Sequence, residues 1–192
     1  MMTDRDLILR SMLGENQAFE ELVVEYQSKV YTLCFRYMGN EEDAYDMAQE
    51  TFIKAFRSLP SFQGKSRFGT WLYRVATNIC LDEIRRRKRR VSTVSMHQQL
   101  ETEDSEMEKE IADVRPTVEA LYEQKELSLY IQTVLDQMKP EHRTVIILRD
   151  MMGLSYEEIG EVLNCSTGTV KSRLSRARTI FRNNFIKREH LP

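Results

Sequence analysis

The chain is poor in the residues that make tight turns: of 192 residues, seven are glycine and four are proline. An all-β protein needs such turns at intervals of roughly 8–12 residues, so the scarcity argues against that class. Three cysteines, Cys34, Cys80 and Cys165, stand far apart and in no metal-ligand spacing. They suit buried, small apolar roles in a reducing compartment better than disulfides or a zinc site. Apolar runs fall short of the roughly 18 residues that span a membrane. The opening MMTDRDLILRSMLGEN has no signal-peptide core, so a cytoplasmic location is expected. His97, His142 and His190 cannot be grouped with a nucleophile and an acid, and no glycine-rich phosphate loop occurs. No catalytic residue, metal site or cofactor is therefore expected.

What is present is charge, unevenly spread. The net charge of −2 hides two basic zones around an acidic one. RRRKRR fills 85–90, ETEDSEMEKEIAD at 101–113 holds seven acids, and no acid occurs from Val162 to Arg188. Outside the acidic stretch the chain reads as helices. Asn16 is a candidate cap for a helix whose apolar residues Phe19, Leu22, Val23, Tyr26, Val30, Leu33 and Tyr37 step by three and four, ending at Gly39. Asn40 caps a second helix carrying Ala44, Met47, Ala48, Thr51, Phe52 and Ala55 on one face. After the loop LPSFQGKS (59–66), a third helix runs from about Arg67 into the basic tract. Residues 91–115 are polar and weakly periodic and read as a flexible tether. Pro116 and Pro140 suit the first turns of two later helices, the second ending at Gly153. The expected fold is all-α: two small helical domains, 1–91 and 116–192, joined by a flexible acidic linker at 92–115.

Residues 155–178, SYEEIGEVLNCSTGTVKSRLSRAR, switch from acidic to basic across a break of small residues. Ser155 and Glu158 form a capping box for a short helix with Ile159, Val162 and Leu163 inward. Gly160 leaves room for another helix to approach. NCST (164–167) is the turn, with Ser166 or Thr167 capping a second helix that buries Val170, Leu174, Ala177 and Phe181. This is a helix-turn-helix, whose second helix enters the major groove of DNA. Thr167, Thr169, Lys171, Ser172, Arg173, Ser175, Arg176 and Arg178 supply donors for base edges and cations for phosphates.

On the third helix, Trp71, Arg74, Asn78 and Arg85 fall within about a 60° arc at 100° per residue. An aromatic, an amide and cations on one face make a platform for unpaired bases, and Phe62 in the loop beside it can help enclose a flipped base. A lone tryptophan is as often a core residue, an exposed amide is common on helices, and RRRKRR is open to reading as a solvated helix end. The polar set on the second helix is an ordinary exposed face by itself.

Here a family resemblance enters. DAYDMAQETFIKAF (43–56), FGTWLYRVATN (68–78) and EHRTVIILRDMMGLSYEEIGEVLNCSTGTVKSRLSRAR (141–178) resemble, in order, the polymerase-binding, −10-reading and −35-reading segments of bacterial sigma factors of the extracytoplasmic-function type. The resemblance covers about residues 16–90 and 116–185. It implies a specificity subunit of RNA polymerase without its own catalytic site. Asp43, Asp46, Gln49, Glu50 and Phe52 would meet the clamp helices of the β′ subunit, and the C-terminal domain the flap of the β subunit. Phe62, Trp71, Arg74, Asn78, Arg85 and Arg86 would read and melt the −10 element, with Phe62 and Asn78 lining the pocket for an extruded base. The tether would pass through the RNA exit path. Family members are commonly held inactive by an anti-sigma factor, often membrane-bound, so such a partner is implied as well. Two other classes compete: a helix-turn-helix regulator working without polymerase, and an enzyme. A sensor would want a pocket signature in the front half, and an enzyme a catalytic grouping; neither is in the sequence.

Overall fold

A computed structural model describes residues 2–94 and 118–189, and all regular structure among them is helical. The acidic tether lies outside the described residues apart from its first few positions, as does Pro116. The first helix, α1 (Asp4–Met12), is absent from the sequence reading. Its signal was there: Thr3 and Asp6 form a capping box, the Thr3 hydroxyl accepting from the Asp6 N–H and the Asp6 carboxylate from the Thr3 N–H. Leu7 and Ile8 bury its inner face, and the Tyr26 hydroxyl donates to Asp4 at 2.6 Å.

Helix α2 (Asn16–Met38) begins at Asn16 rather than being capped by it; Glu15 precedes it and makes no side-chain cap bond. It ends as expected at Gly39, whose φ of 80° is open to a residue without a Cβ. Helix α3 (Glu41–Ser58) starts under Asn40, whose Oδ1 accepts from the Asp43 N–H at 2.9 Å. A single tight helical turn (Leu59–Ser61) and a loop lead into α4 (Phe68–Val94). Helix α2 packs between α1, α3 and α4. Its predicted stripe is the core, with Leu22, Val30, Leu33 and Tyr37 wholly shielded. The close crossing with α4 depends on Gly69, where a Cβ would stand 2.9 Å from the Tyr26 ring. Cys34 and Cys80 sit together in this core; their mutual hydrogen bond, then burial, pushes the Cys80 thiol far up.

The rear unit comprises α5 (Val118–Asp136), α6 (Pro140–Ile146), α7 (Tyr156–Leu163) and α8 (Thr167–Glu189). Helix α6 does not continue regularly to Gly153. It widens into a π-helical turn (Ile147–Met151), with the Met152 N–H reaching five residues back to Ile147. The widening places Arg149 on the Leu154 carbonyl (2.6 Å) and Asp150 against Arg178 (3.0 Å). Helices α6 and α7 pack on α8 around Val145, Leu148, Ile159, Val170, Leu174 and Ala177. The two units also meet each other. Helix α7 lies against α4, and the end of α2 receives Arg143, whose Nη2 donates to the carbonyls of Arg36 (3.0 Å) and Tyr37 (2.7 Å).

Candidate nucleic-acid interface

The rear site is a helix face fixed by its turn. The Ser155 hydroxyl accepts from the Glu158 N–H (3.1 Å) and the Glu158 carboxylate from the Ser155 N–H (2.8 Å), so α7 starts at Tyr156. It stops at Asn164, which takes a left-handed conformation with φ 50°. The Cys165 N–H then donates to the Gly160 carbonyl at 2.9 Å. A Cβ at Gly160 would lie 2.8 Å from the Cys165 carbonyl oxygen. Gly160 thus serves the turn's own backbone, not the approach of another helix. Ser166 caps α8, its hydroxyl accepting from the Thr169 N–H at 3.2 Å.

From that start, α8 turns Val170, Leu174 and Ala177 inward and leaves Phe181 half-buried. Thr167, Lys171, Ser172, Ser175, Arg176 and Arg178 are exposed, and Thr169 and Arg173 half-buried. The cations differ in freedom. Arg178 is held by Asp150, and Lys171 stands over the Tyr156 ring at 5.6 Å, while Arg149 covers the same ring at 4.8 Å. Tyr156 and Arg182, both missed in the sequence, line a shallow cavity with Leu174, Ser175 and Arg178. Tyr156 sits at the start of α7, where the capping pattern drew attention to its neighbours instead.

The front site is built differently. Trp71 is only 7% exposed and packs with Phe62 (5.1 Å between centroids) and Phe68 (5.6 Å). The expectation that Trp71 shares an open face with Arg74 and Asn78 is corrected: those two are exposed, whereas the indole is part of an aromatic cluster that closes the core. One turn of helix and the loop carrying Phe62 produce this cluster, which helical angles alone cannot reveal. Phe62, half-buried, stands at its mouth. A cleft of about 930 Å³ opens beside it, lined by Tyr26, Lys29, Gln63, Arg67 and Tyr73 among others.

The basic tract is partly spent on the protein itself. Arg85 pairs with Asp82 (2.9 Å) and Arg86 with Glu83 (2.7 Å). Arg87 bridges Glu83 (2.7 Å) and Asp43, tying α4 to the start of α3. Arg87 holds both carboxyls below their ordinary range, against the opposing effect of burial. Asp43 is therefore a structural ligand of Arg87 as well as a member of the α3 surface. On that surface Asp46, Gln49 and Glu50 are exposed and Phe52 half-buried. Tyr45 (64% exposed), Ile53 (52%) and Phe56 (43%) accompany them. By its residues alone this face reads as polar, and only the resemblance makes it a docking surface; three large apolar side chains stand in the open beside its acids. Among the described residues no group of His, Cys, Asp or Glu could hold a metal ion.

An all-helical chain with a helix-turn-helix at one end and an aromatic, basic helix beside an exposed apolar face at the other has the layout of a bacterial sigma subunit. The family models agree: Sigma-70 region 2 matches residues 22–90, and Sigma-70 region 4 matches 128–180. The ECF RNA polymerase sigma-E factor of Haemophilus influenzae is 38% identical over 183 residues, covering 95% of each chain. The ECF RNA polymerase sigma factor SigW of Bacillus subtilis is 39% identical over 169 residues, 88% of this chain and 89% of that one. The sigma factor RpoE of Bartonella quintana, solved in complex with the anti-sigma factor NepR, has the same fold: TM-score 0.64 at 22% identity, over 86% of this chain and 95% of that one. The chain belongs to the extracytoplasmic-function sigma factors, and directs promoter-specific transcription as an RNA polymerase sigma factor. Family membership implies a specificity subunit of the polymerase.

Proposed function

We propose that residues 1–91 form the domain that binds core polymerase and reads and melts the −10 element, that 92–115 is the linker, and that 116–192 reads the −35 element. The observation that carries this is the contrast in chemistry between the ends: an aromatic cluster of Phe62, Phe68 and Trp71 on a helix that also carries exposed Arg74 and Asn78, and a capped helix presenting Arg176, Lys171 and Ser172 to solvent. An unpaired base needs a pocket with an aromatic wall; a duplex needs a helix that fits its major groove. Phe62 and Asn78 receive the extruded base, Trp71 backs the pocket, and Arg74, Arg85 and Arg86 hold phosphate. Thr167, Thr169, Lys171, Ser172, Arg173, Ser175, Arg176 and Arg178 serve the −35 duplex.

The α3 face, with Tyr45, Ile53 and Phe56 beside Asp46, Gln49 and Glu50, takes the clamp helices of the β′ subunit, and the rear domain takes the β flap. An anti-sigma factor of the kind seen with the Bartonella quintana protein is the expected inhibitor. The chain has no activity of its own and works in the cytoplasm; among the described residues no helix is long and apolar enough to cross a membrane. The test is run-off transcription by purified bacterial core polymerase on a promoter library, with and without the chain. Initiation at a shared −35/−10 pair is expected. Binding to duplex DNA with no transcript on any template would leave only a helix-turn-helix regulator.

A further inference from the structure

The π-helical turn after α6 sends two consecutive side chains toward the outward face of α8. Such turns are rare and concentrate at functional sites. Here the Met152 N–H reaches the Ile147 carbonyl at 2.9 Å, and the Leu154 N–H reaches the Leu148 carbonyl at 3.0 Å. Ile147, Leu148 and Leu154 are buried, so the turn is anchored from within. Its outward residues are Arg149 and Asp150. Arg149 donates to the Leu154 carbonyl at 2.6 Å and lies 4.8 Å from the Tyr156 ring, over which Lys171 of α8 also stands. Asp150 accepts from two donors of the Arg178 fork, Nε at 3.0 Å on one oxygen and Nη2 on the other.

Lys171, Ser175, Arg178 and Arg182 follow at steps of four, three and four, so they form one stripe of α8. With Tyr156 they line the shallow cavity of about 410 Å³ on that face. Helix α8 has no acid of its own before Glu189; Asp150 is brought to it from outside. With side chains 34% and 53% exposed, Asp150 and Arg178 form a pair that solvent screens, and it adds little to stability. A carboxylate close to DNA phosphates also opposes binding. An acid here therefore needs another reason, and holding the fork supplies it. An arginine already oriented loses less conformational freedom on meeting a groove of the right shape. Its charge is also matched by Asp150, so it displaces fewer counterions from DNA of any sequence. Arg173, Arg176 and Arg182 make no ion pair among the described residues.

We propose that Asp150 is a positioning residue for −35 recognition: it holds the Arg178 guanidinium in one orientation and restrains it from indiscriminate phosphate contact, so the chain binds all duplexes less tightly and tells them apart better. The inference rests on the assignment of α8 to the −35 duplex.

The test is filter binding of the full chain to two probes: the −35 duplex most enriched in run-off selection by the parent, and a scrambled duplex of the same base composition. Asp150→Ala should bind the scrambled duplex about fivefold tighter at low salt, with a log–log salt slope steeper by about one, as for one added phosphate contact. Its ratio of affinities for the two probes should fall about fivefold, the lower end of what one base contact contributes. Asp150→Glu, which keeps the carboxylate, should recover most of that ratio. In an Arg178→Ala background, Asp150→Ala should leave the ratio unchanged, because no guanidinium remains to be held. If urea melts show that Asp150→Ala does not fold, Asp150→Asn takes its place with the same pattern expected. A ratio that stays at the parent's value, whatever the affinities, or a fall of equal size with and without Arg178, would each overturn the proposal. A parent that does not distinguish the two probes would instead strike the −35 assignment, and the proposal with it.

Discussion

The helices α4 and α8 both carry a run of cations and both are assigned to DNA, yet they are made on opposite plans. On α8 Val170, Leu174 and Ala177 are buried and Lys171, Ser172, Ser175, Arg176 and Arg178 exposed, with Thr169, Arg173 and Phe181 between the two. On α4 the central aromatic, Trp71, is sunk in a cluster with Phe62 and Phe68, and further along the helix Arg85, Arg86 and Arg87 pair with acids. On the proposed assignment, the difference suits the substrates. A duplex presents base edges already arrayed in a groove, so a rigid helix suffices. A base taken out of the stack must be enclosed, and enclosure needs a loop, a helix and a core working together.

The comparison breaks most sharply on Trp71. Trp71→Ala should cost about 3 kcal/mol or more of stability, the usual penalty for removing a buried indole, whereas Arg176→Ala should change it by less than about 0.5 kcal/mol. Urea melts of both variants measure this; equal costs would mean that the indole is not part of the core. Next, Ile53→Asp on the α3 face should remove most core-polymerase affinity while leaving the melt and duplex binding unchanged. A pull-down of core enzyme that matches the parent would discard that surface.

Third, Asn78→Ala and Arg176→Ala should each lose about 1–3 kcal/mol of discrimination, but at different elements: the first in open complexes at −10, the second on duplex −35 DNA. Arg178→Ala should do less than Arg176→Ala, because Asp150 already occupies its guanidinium; filter binding on matched and mismatched −35 sites ranks them. Smallest is the Arg87 clasp. Glu83 and Asp43 are held below their ordinary pKa, so their stabilisation is full above the unfolded-state values and fades as pH falls through the depressed ones. Arg87→Met should flatten that acid limb of the stability curve and leave the neutral-pH promoter preference alone.

These two plans also explain what could be read in advance. The stripes of α2 and α3, Gly39, the cap at Asn40 and the Ser155–Glu158 box are local patterns, and local patterns survive in a sequence. Trp71 was assigned to an open face because its neighbours at i+3 and i+7 are polar; the loop residue that covers it is nine positions upstream and invisible to periodicity. Helix α1 was overlooked because only two of its buried residues are strongly apolar. The π-helical turn after α6 cannot be seen in an apolar run that suits a regular helix equally well. Gly160 was rightly singled out and given the wrong neighbour, since its close contact is made by the turn five residues later. The exposed Tyr45, Ile53 and Phe56 were hidden among the acids that surround them. The seam between the units depends on Arg143, which sits in a motif where nothing marks it as reaching to the other half.

The central claim is that two distinct surfaces of one chain read two distinct promoter elements. Run-off transcription on a library randomised at both elements, using the parent, Asn78→Ala and Arg176→Ala with core polymerase, tests it most directly. The account predicts that the Asn78 variant relaxes selection at −10 and keeps it at −35, and that the Arg176 variant does the reverse. Relaxation at the same element by both variants, or at neither, would contradict it.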